Sequence, residues 1–357
     1  MKMQLLYTWD GLKRVEVSEV SAGDVVAVAG IPDITVGDTL ANGPAPVALP
    51  RLHIDEPTIG MMFGINDSPF SGQDGNMLTG RQIRERIERE LIHNVSMRME
   101  YVDGVEGLMV YGRGELQLCI LIEQMRREGF ELTVSRPIVV KKEVEGVTCE
   151  PFERLTLDVP DEFVGALTQM LSARKGLMED LLSDGNGRTS MVYVIPSRGL
   201  IGYRSEMLTT TRGMGIANTE FEGWFPQVGF IGSRKRGGLV SDRQGKTNPY
   251  ALFHLQPRGI LFVDPSTPVY EGMVVGLHAK DNDLNVNATK GKNLSNVRTA
   301  GTDEKLILTP ASTHNLETAI EWIDEDERVE VTPKTVRIRK AILASNMRSI
   351  VRKPKGT

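Results

Sequence analysis

The side chains best suited to binding chemistry lie in one polar stretch of this 357-residue chain, His278–Gly301. An asparagine amide offers both a hydrogen-bond donor and an acceptor, while lysine and arginine neutralise phosphates. The stretch interleaves five asparagines with four cations: Asn282, Asn285, Asn287, Asn293, Asn296, Lys280, Lys290, Lys292 and Arg298. Loops of this length inside a compact region are usually functional or disordered. The mixture predicts nucleic-acid binding, with a solvated insertion as the alternative.

A second group of cations lies upstream, at Arg234, Lys235, Arg236, Arg243 and Lys246. We expect these side chains to contact phosphates, and the alternative is a solvated hairpin. Gly245-Lys246-Thr247 resembles the end of a phosphate-binding loop. Such a loop requires another glycine five positions before Gly245, where this chain has Val240. The sequence therefore does not predict a nucleotide site here.

No set of catalytic or metal-ligating residues can be proposed from the sequence. The five histidines are dispersed, and none stands at ligand spacing with a cysteine or carboxylate. Cys119 and Cys149 are expected to be reduced core thiols, which points to the cytosol. The rival hypothesis is an RNA-modifying or metabolic enzyme with an active site between domains. That enzyme would need a cluster of titratable groups, which the sequence does not suggest.

Composition indicates a globular protein of two to four domains, since 40% of the residues are hydrophobic and 25% are charged. No apolar run is long enough to span a membrane, and the N-terminus has no signal-peptide pattern. Residues 1–226 carry a net charge of −11, whereas residues 227–357 carry +6. No acidic residue follows Glu330, and eight cations do. This asymmetry predicts that the C-terminal part binds a polyanion.

Short strands separated by Gly-Asp turns are predicted in residues 1–48, as in a small β-barrel. Forty-eight residues are too few to close a barrel, so we expect the C-terminal part of one, with the chain beginning inside that domain. The segment Asn42-Gly43-Pro44-Ala45-Pro46 is predicted to be a linker.

Two tandem ferredoxin-like domains are predicted next, in residues 49–142 and 143–226, each with the order βαββαβ. In the first, Thr79 and Gln82 form a capping box, and Gly129 ends the second helix. In the second, Asp184-Gly185-Asn186-Gly187 predicts a hairpin.

Residues 227–357 are predicted to be a mostly-β domain with one helix, Leu316–Ile323, and with the long polar loop as an insertion. Val228–Ile231 and Tyr250–Leu255 are among its predicted strands. The predicted fold class is therefore α+β.

Several motifs resemble those of elongation-factor-G-like translational GTPases. Tyr111-Gly112-Arg113-Gly114-Glu115-Leu116-Gln117-Leu118 is similar to the Gly-x-Gly-Glu-Leu signature of their third domain. Residues 22–30 and 36–40 resemble the end of their barrel domain. Residues 196–206 and 209–213, together with the loop Asp283–Gly301, resemble the BipA (TypA) subfamily specifically. The resemblance covers essentially the whole chain.

This resemblance implies two ferredoxin-like domains, numbered three and five, and a BipA-specific C-terminal domain that contacts the ribosome, 23S rRNA and A-site tRNA. It implies a cytoplasmic, monomeric factor in large-subunit assembly and stress adaptation. Because the phosphate loop and switch regions are missing from these residues, we expect the GTPase domain, with its GTP and Mg²⁺, to be absent and this chain not to be an enzyme. Lys280, Lys290, Lys292 and Arg298 would bind phosphates, while Asn285, Asn287 and Asn293 would bond to sugar or base edges.

Overall fold

A computed structural model describes residues 4–31, 34, 36–41, 47–50, 56–102, 107–232, 234, 236–292 and 307–348. The chain divides into two compact units. The first comprises Met1–Asp55 with Arg89–Val95, and the second comprises Glu56–Glu88 with Ser96–Thr357.

The first unit contains a three-stranded antiparallel sheet. Its strands are β1 (Leu5–Asp10), β2 (Lys13–Glu16) and β3 (Ala27–Ala29), in the order β2-β1-β3. Gly11, with φ +60°, makes the tight turn between the first two strands. Within the described residues the strands do not close into a barrel, so the part of the expected barrel that is described is an open sheet.

The second unit contains the remaining elements. Its strands are β4 (Ile59–Ile65), β5 (Arg98–Tyr101), β6 (Leu108–Gly112), β7 (Leu132–Ser135), β8 (Ile138–Val139), β9 (Lys142–Val144), β10 (Val147–Pro160), β11 (Leu177–Ser183), β12 (Arg188–Pro196), β13 (Ile216–Pro226), β14 (Gly238–Ser241), β15 (Gly245–Lys246), β16 (Gly259–Leu261), β17 (Pro268–Val269), β18 (Val274–His278), β19 (Leu284–Val286), β20 (Glu327–Val331) and β21 (Val336–Lys340). Its helices are α1 (Gly80–His93, whose last turn falls in the first unit), α2 (Glu115–Arg127), α3 (Val164–Ala173), α4 (Ser197–Leu200), α5 (Tyr203–Thr210), α6 (Pro249–Leu255) and α7 (Leu316–Trp322).

The N-terminal half of this unit follows the predicted alternation of strands and helices. The Gln82 side-chain oxygen accepts hydrogen bonds from the Thr79 N–H at 3.1 Å and the Thr79 hydroxyl at 2.9 Å, which fixes the start of α1. Helix α2 buries Leu118, Leu121, Ile122 and Met125 on one face, and Gly129 follows with φ +94°. The capping box and the glycine stop are confirmed.

Two sheets organise this half. In the first, β4, β5, β6 and β7 lie in the order β7-β4-β6-β5, and in the second the order is β11-β12-β10-β13, all antiparallel. The predicted hairpin at residues 184–187 is confirmed: Asp184 Oδ1 accepts the N–H groups of Asn186 at 2.7 Å and Arg188 at 3.0 Å. The fold is thus a mixed α/β arrangement of several sheets.

The strands of the C-terminal part belong to more than one sheet, and two of them join the first sheet. Strand β20 pairs with β7, so that the hairpin β20–β21 extends the first sheet into the order β21-β20-β7-β4-β6-β5. A four-stranded sheet, β16-β18-β14-β19, lies beside a core that includes Leu239, Leu252, Tyr270 and Val275.

Two predicted strands of this part are wrong. Residues 228–231 form no strand, and Tyr250–Leu255 lies in helix α6. The Asn248 side chain caps α6 by accepting the Tyr250 N–H at 2.9 Å, and Pro249 occupies its first position. The described residues of this part therefore contain two α-helices instead of the one predicted. None of the helices in the described ranges is long and apolar enough to cross a membrane.

Helices α2, α5 and α7 meet at a group of carboxylates. Burial and the nearby Glu321 raise the pKa of Glu115 to about 7, with Glu317 adding to the effect, while the Gly202 N–H and Arg174 oppose it. Glu321 accepts a 2.9 Å hydrogen bond from the Ser205 hydroxyl. One oxygen of Glu115 has no hydrogen-bond partner. The folded protein therefore holds a proton on Glu115 more tightly than the unfolded chain does.

This difference predicts the pH dependence of a Glu115→Gln variant. Below the ordinary pKa of 4.5, Glu115 is protonated in both the folded and the unfolded state and does not change the free energy of unfolding. As the pH rises to about 7, the unfolded chain releases this proton more readily than the folded protein does, so the folded state loses stability. Glutamine never ionises, so the variant should be more stable than the parent at pH 8 and equal to it at pH 4. One pKa unit corresponds to about 1.4 kcal/mol, and since Glu115 is only partly buried we expect a gain on the order of 1–2 kcal/mol. Melting temperatures at both pH values measure it.

The matched control is Glu220→Gln, which removes an exposed carboxylate from strand β13. Its melting temperature should follow that of the parent at both pH values. An equal gain for both variants at pH 8 would mean that net charge, and not the burial of Glu115, is responsible.

Candidate nucleic-acid interface

The candidate interface is built on two adjacent parallel strands, β14 and β19. Leu239, Val240 and Ser241 lie opposite Leu284, Asn285 and Val286. Parallel strands begin at one end of a sheet and finish at the other. The cations that precede the two strands therefore lie at one end of this sheet, and those that follow lie at the other.

Arg236 and Lys280 lie at the first end. The Gly237 N–H donates to the Lys280 carbonyl at 2.8 Å, which holds the two segments together. Arg258 joins them, because its carbonyl accepts the Ala279 N–H at 2.8 Å. All three side chains are exposed, and none forms an ion pair with another described residue. Arg258 is not among the cations predicted from the sequence, since an isolated arginine in a turn carries no signal.

Lys246, Lys290 and Lys292 lie at the second end. The Asn248 N–H donates to the Ala288 carbonyl at 3.0 Å, and a Cβ added to Gly245 would lie 2.9 Å from Thr289 Cγ2. The three lysines are exposed and have no ion-pair partner within the described part of the chain.

Arg243 lies near this second end with a carboxylate beside it. Its guanidinium contacts both oxygens of Asp242, at 2.9 and 3.0 Å, and that carboxylate raises the pKa of Arg243. The side chain remains more than half exposed. Asp242 offsets part of its attraction for phosphate, so Arg243 is a weaker candidate than the lysines.

The side chain of Arg234 forms its contacts inside the protein. Its guanidinium forms two 3.0 Å bonds to the buried carboxylate of Glu327 and lies 3.5 Å over the ring of Trp322. Its Nε donates to the Arg236 carbonyl at 2.6 Å. Since its donors are bound inside the protein, we leave Arg234 out of the interface.

Residues 278–292 of the polar stretch include a strand and several defined contacts. The expectation of an irregular loop is wrong for Leu284–Val286, which forms β19, and both Val286 and Ala288 are buried. Asp283 accepts the Gly238 N–H at 2.6 Å, and His278 Nδ1 donates to the Asn282 carbonyl at 2.5 Å. The stretch is thus part of the fold here.

Its asparagines have local roles as well. Asn285 Oδ1 accepts a 3.2 Å bond from Arg348, and Asn287 Oδ1 accepts the N–H and hydroxyl of Thr289 at 3.0 and 2.9 Å. Both side-chain oxygens are therefore occupied, and their NH₂ groups are the atoms that could reach a ligand. Lys235, Asn293 and Arg298 lie outside the described residues.

Among the described residues, the three cations of strand β21 do not form a basic face. Arg337 contacts Glu330 at 2.8 Å, and Arg339 contacts Asp67. Lys340 contacts Glu327 at 2.9 Å, and neighbouring carboxylates raise its pKa against the opposing effect of burial. The positive net charge of residues 227–357 therefore overstates the charge available to a polyanion. In the described ranges no group of three or more His, Cys, Asp or Glu side chains could hold a metal ion.

Comparison with known proteins then identifies the family. The C-terminal domain of TypA/BipA matches residues 236–345, and the C-terminus of elongation factor G matches residues 147–229. The large ribosomal subunit assembly factor BipA of Bacillus subtilis (strain 168) is 47% identical over 353 residues. The chain belongs to the TypA/BipA family. The BipA proteins of Escherichia coli (strain K12) and Haemophilus influenzae are also 47% identical, each over 339 residues.

The chain spans just over half the length of these curated relatives. The matches cover 99% of this chain and 58% of the Bacillus protein, 95% and 56% for Escherichia coli, and 95% and 55% for Haemophilus. The expectation of an absent GTPase domain, and hence of no enzyme, is wrong. The relatives match nearly the whole of this chain, not only its C-terminal part, and the family is one of translational GTPases.

The two arginines that flank residue 235 provide a direct test of this division between buried and exposed cations. Arg234→Ala should destabilise the fold by on the order of 3 kcal/mol, because it removes a partner of a fully buried carboxylate. Arg236→Ala should change stability by less than about 0.5 kcal/mol, because the exposed side chain has no partner in the described part. Chemical unfolding of both variants measures the difference. Equal stabilities would refute the buried role of Arg234.

Proposed function

We propose that this chain is the ribosome-binding portion of a large-subunit assembly factor and that it contacts RNA through residues 236–292. The observation that carries the proposal is the pair of exposed cation groups at the two ends of the β14–β19 sheet. The names of the relatives, large ribosomal subunit assembly factors, support the same assignment. We propose 23S rRNA and A-site tRNA as the RNA partners, in a cytoplasmic, monomeric protein that also acts in stress adaptation.

Each group has a distinct chemical role in this proposal. Phosphates contact the six exposed cations without carboxylate partners, which are Arg236, Lys246, Arg258, Lys280, Lys290 and Lys292. Cations at two ends of one rigid sheet contact two separate segments of an RNA backbone and so fix its orientation. The amide NH₂ groups of Asn285 and Asn287 supply hydrogen bonds to sugar or base edges. Lys235, Asn293 and Arg298 are kept in the proposal on the strength of their sequence positions.

The scaffold in this proposal has four parts. Residues 1–48 belong to a barrel domain, 49–142 and 143–226 are two ferredoxin-like domains, and 227–357 is the RNA-binding domain. The strand orders β7-β4-β6-β5 and β11-β12-β10-β13 support the ferredoxin-like assignment, because each places the first and third strands of its unit at the centre.

We further propose that the whole protein uses GTP and Mg²⁺, as expected for a translational GTPase. No described residue of this chain is assigned to that site. The alternative function, an RNA-modifying or metabolic enzyme, has no comparable support, since the relatives are named as assembly factors.

Salt dependence tests the RNA contacts. Lys290→Gln combined with Lys292→Gln should weaken binding to purified large ribosomal subunits. Each lost phosphate contact removes roughly 0.7 from the slope of log affinity against log salt, so the loss of two contacts should flatten the slope by roughly 1.4. Co-sedimentation across a salt series measures both quantities.

The control is Lys141→Gln combined with Lys334→Gln, which removes two exposed lysines from other parts of the chain. Its affinity and slope should equal those of the parent. If the Lys290/Lys292 variant also kept the parental affinity and slope, residues 290–292 would be a solvated surface and the proposed contacts would be wrong.

A further inference from the structure

The five-stranded sheet of residues 142–226 ends in strand β11 at one edge and strand β13 at the other. Strand β11 is the last strand in the order β11-β12-β10-β13, and within the described residues nothing pairs with its outer side. Leu177 and Leu182 are 69% and 63% exposed on this strand. An edge strand with exposed leucines offers backbone hydrogen bonds and apolar contacts to an added strand.

In the part of the chain that the structure describes, no helix covers one face of the same sheet, which we call the open face. Helices α3 and α5 cover the other face, where Leu155, Met191 and Tyr193 are buried. The register places Leu177 beside Val194, Asp180 beside Val192, and Leu182 beside Ser190, all on the open face. Glu179 is an extra residue at the irregularity in this pairing.

The open face is acidic. Arg154 contacts Glu179 at 2.6 Å and Glu222 at 2.8 Å, and Arg188 contacts Asp158 at 2.8 Å. Asp180 and Glu220 lie on the same face, where Glu220 is the cross-strand neighbour of Arg154, and neither carboxylate forms an ion pair with another described residue. Five carboxylates against two guanidiniums repel a phosphate backbone and attract a basic polypeptide.

We infer that β11 binds an extended basic segment of another protein, which adds as a strand to the edge of the sheet. This inference goes beyond the proposed RNA contacts and does not depend on them. The added strand would place successive open-face side chains beside Leu177, Asp180 and Leu182. Direct cross-strand pairs favour apolar partners for the leucines and a cation for the aspartate. The segment recognised therefore has the pattern apolar-x-basic-x-apolar, where x is any residue.

A second copy of this chain does not fit the same edge. Two β11 strands paired antiparallel about Asp180 would place the two Asp180 carboxylates directly opposite each other. Like charges in that position are destabilising.

Binding of a labelled peptide to the full chain tests the inference. The probe has the sequence KVTKTVK, with the two valines and the central lysine on one side of a strand. The comparison peptide, VKTKTKV, has the same composition with the pattern broken. Fluorescence anisotropy should give the first peptide an affinity at least about fivefold higher, and hydrogen exchange should show new protection in residues 177–183.

Variants of the chain locate the site. Asp180→Lys should weaken binding of KVTKTVK by about fivefold or more, whereas Asp281→Lys, an equal change at an exposed aspartate elsewhere, should leave it unchanged. Equal binding of the two peptides, equal effects of the two variants, or an RNA oligonucleotide that protects β11 would each overturn the inference. Protection of β11 by self-association without peptide would overturn it as well.

Discussion

Two fully buried carboxylates, Glu327 and Glu330, hold the described C-terminal part of this protein in place. A buried charge is costly unless its partners satisfy it, so each carboxylate fixes the groups around it. Glu330 accepts hydrogen bonds from Ser68 at 3.0 Å, from Arg337 at 2.8 Å and from Tyr270. These partners come from three different segments, which meet where β20 pairs with β7. The hairpin β20–β21 is therefore fixed both by backbone pairing and by the side-chain contacts of Glu330.

The same ion pairs sort the cations of residues 227–348 into two classes. Arg234 and Lys340 satisfy Glu327 in the interior, whereas Lys280 and Lys290 remain exposed. Removing a buried cation takes away a partner of a buried carboxylate and destabilises the fold. Removing an exposed cation changes only the surface potential. Stability should therefore depend on the buried cations and RNA affinity on the exposed ones. Composition and net charge do not distinguish the two classes.

Local signals in the sequence were sufficient for much of the fold. The capping box at Thr79, the glycine stop at Gly129 and the Asp-Gly-Asn-Gly turn each specify a conformation within a few residues, and all three are found. The short apolar run Tyr250–Leu255 fits a strand as well as a helix, and the cap at Asn248 is the signal that distinguishes helix α6. Strand β19 was missed because Leu284 and Val286 stand among polar residues. The role of Arg234 depends on a carboxylate 93 positions away, which no local pattern reveals.

The central claim is that exposed cations at the two ends of the β14–β19 sheet, and not the basic residues of β21, meet RNA. Hydrogen exchange of the chain, free and bound to purified large ribosomal subunits, tests this most directly. We predict that the bound state gains protection in residues 236–246 and 278–292, with no change in 327–340, which the ion pairs already hold. Unchanged exchange in both of the first two segments, with new protection confined to other parts of the chain, would contradict the account.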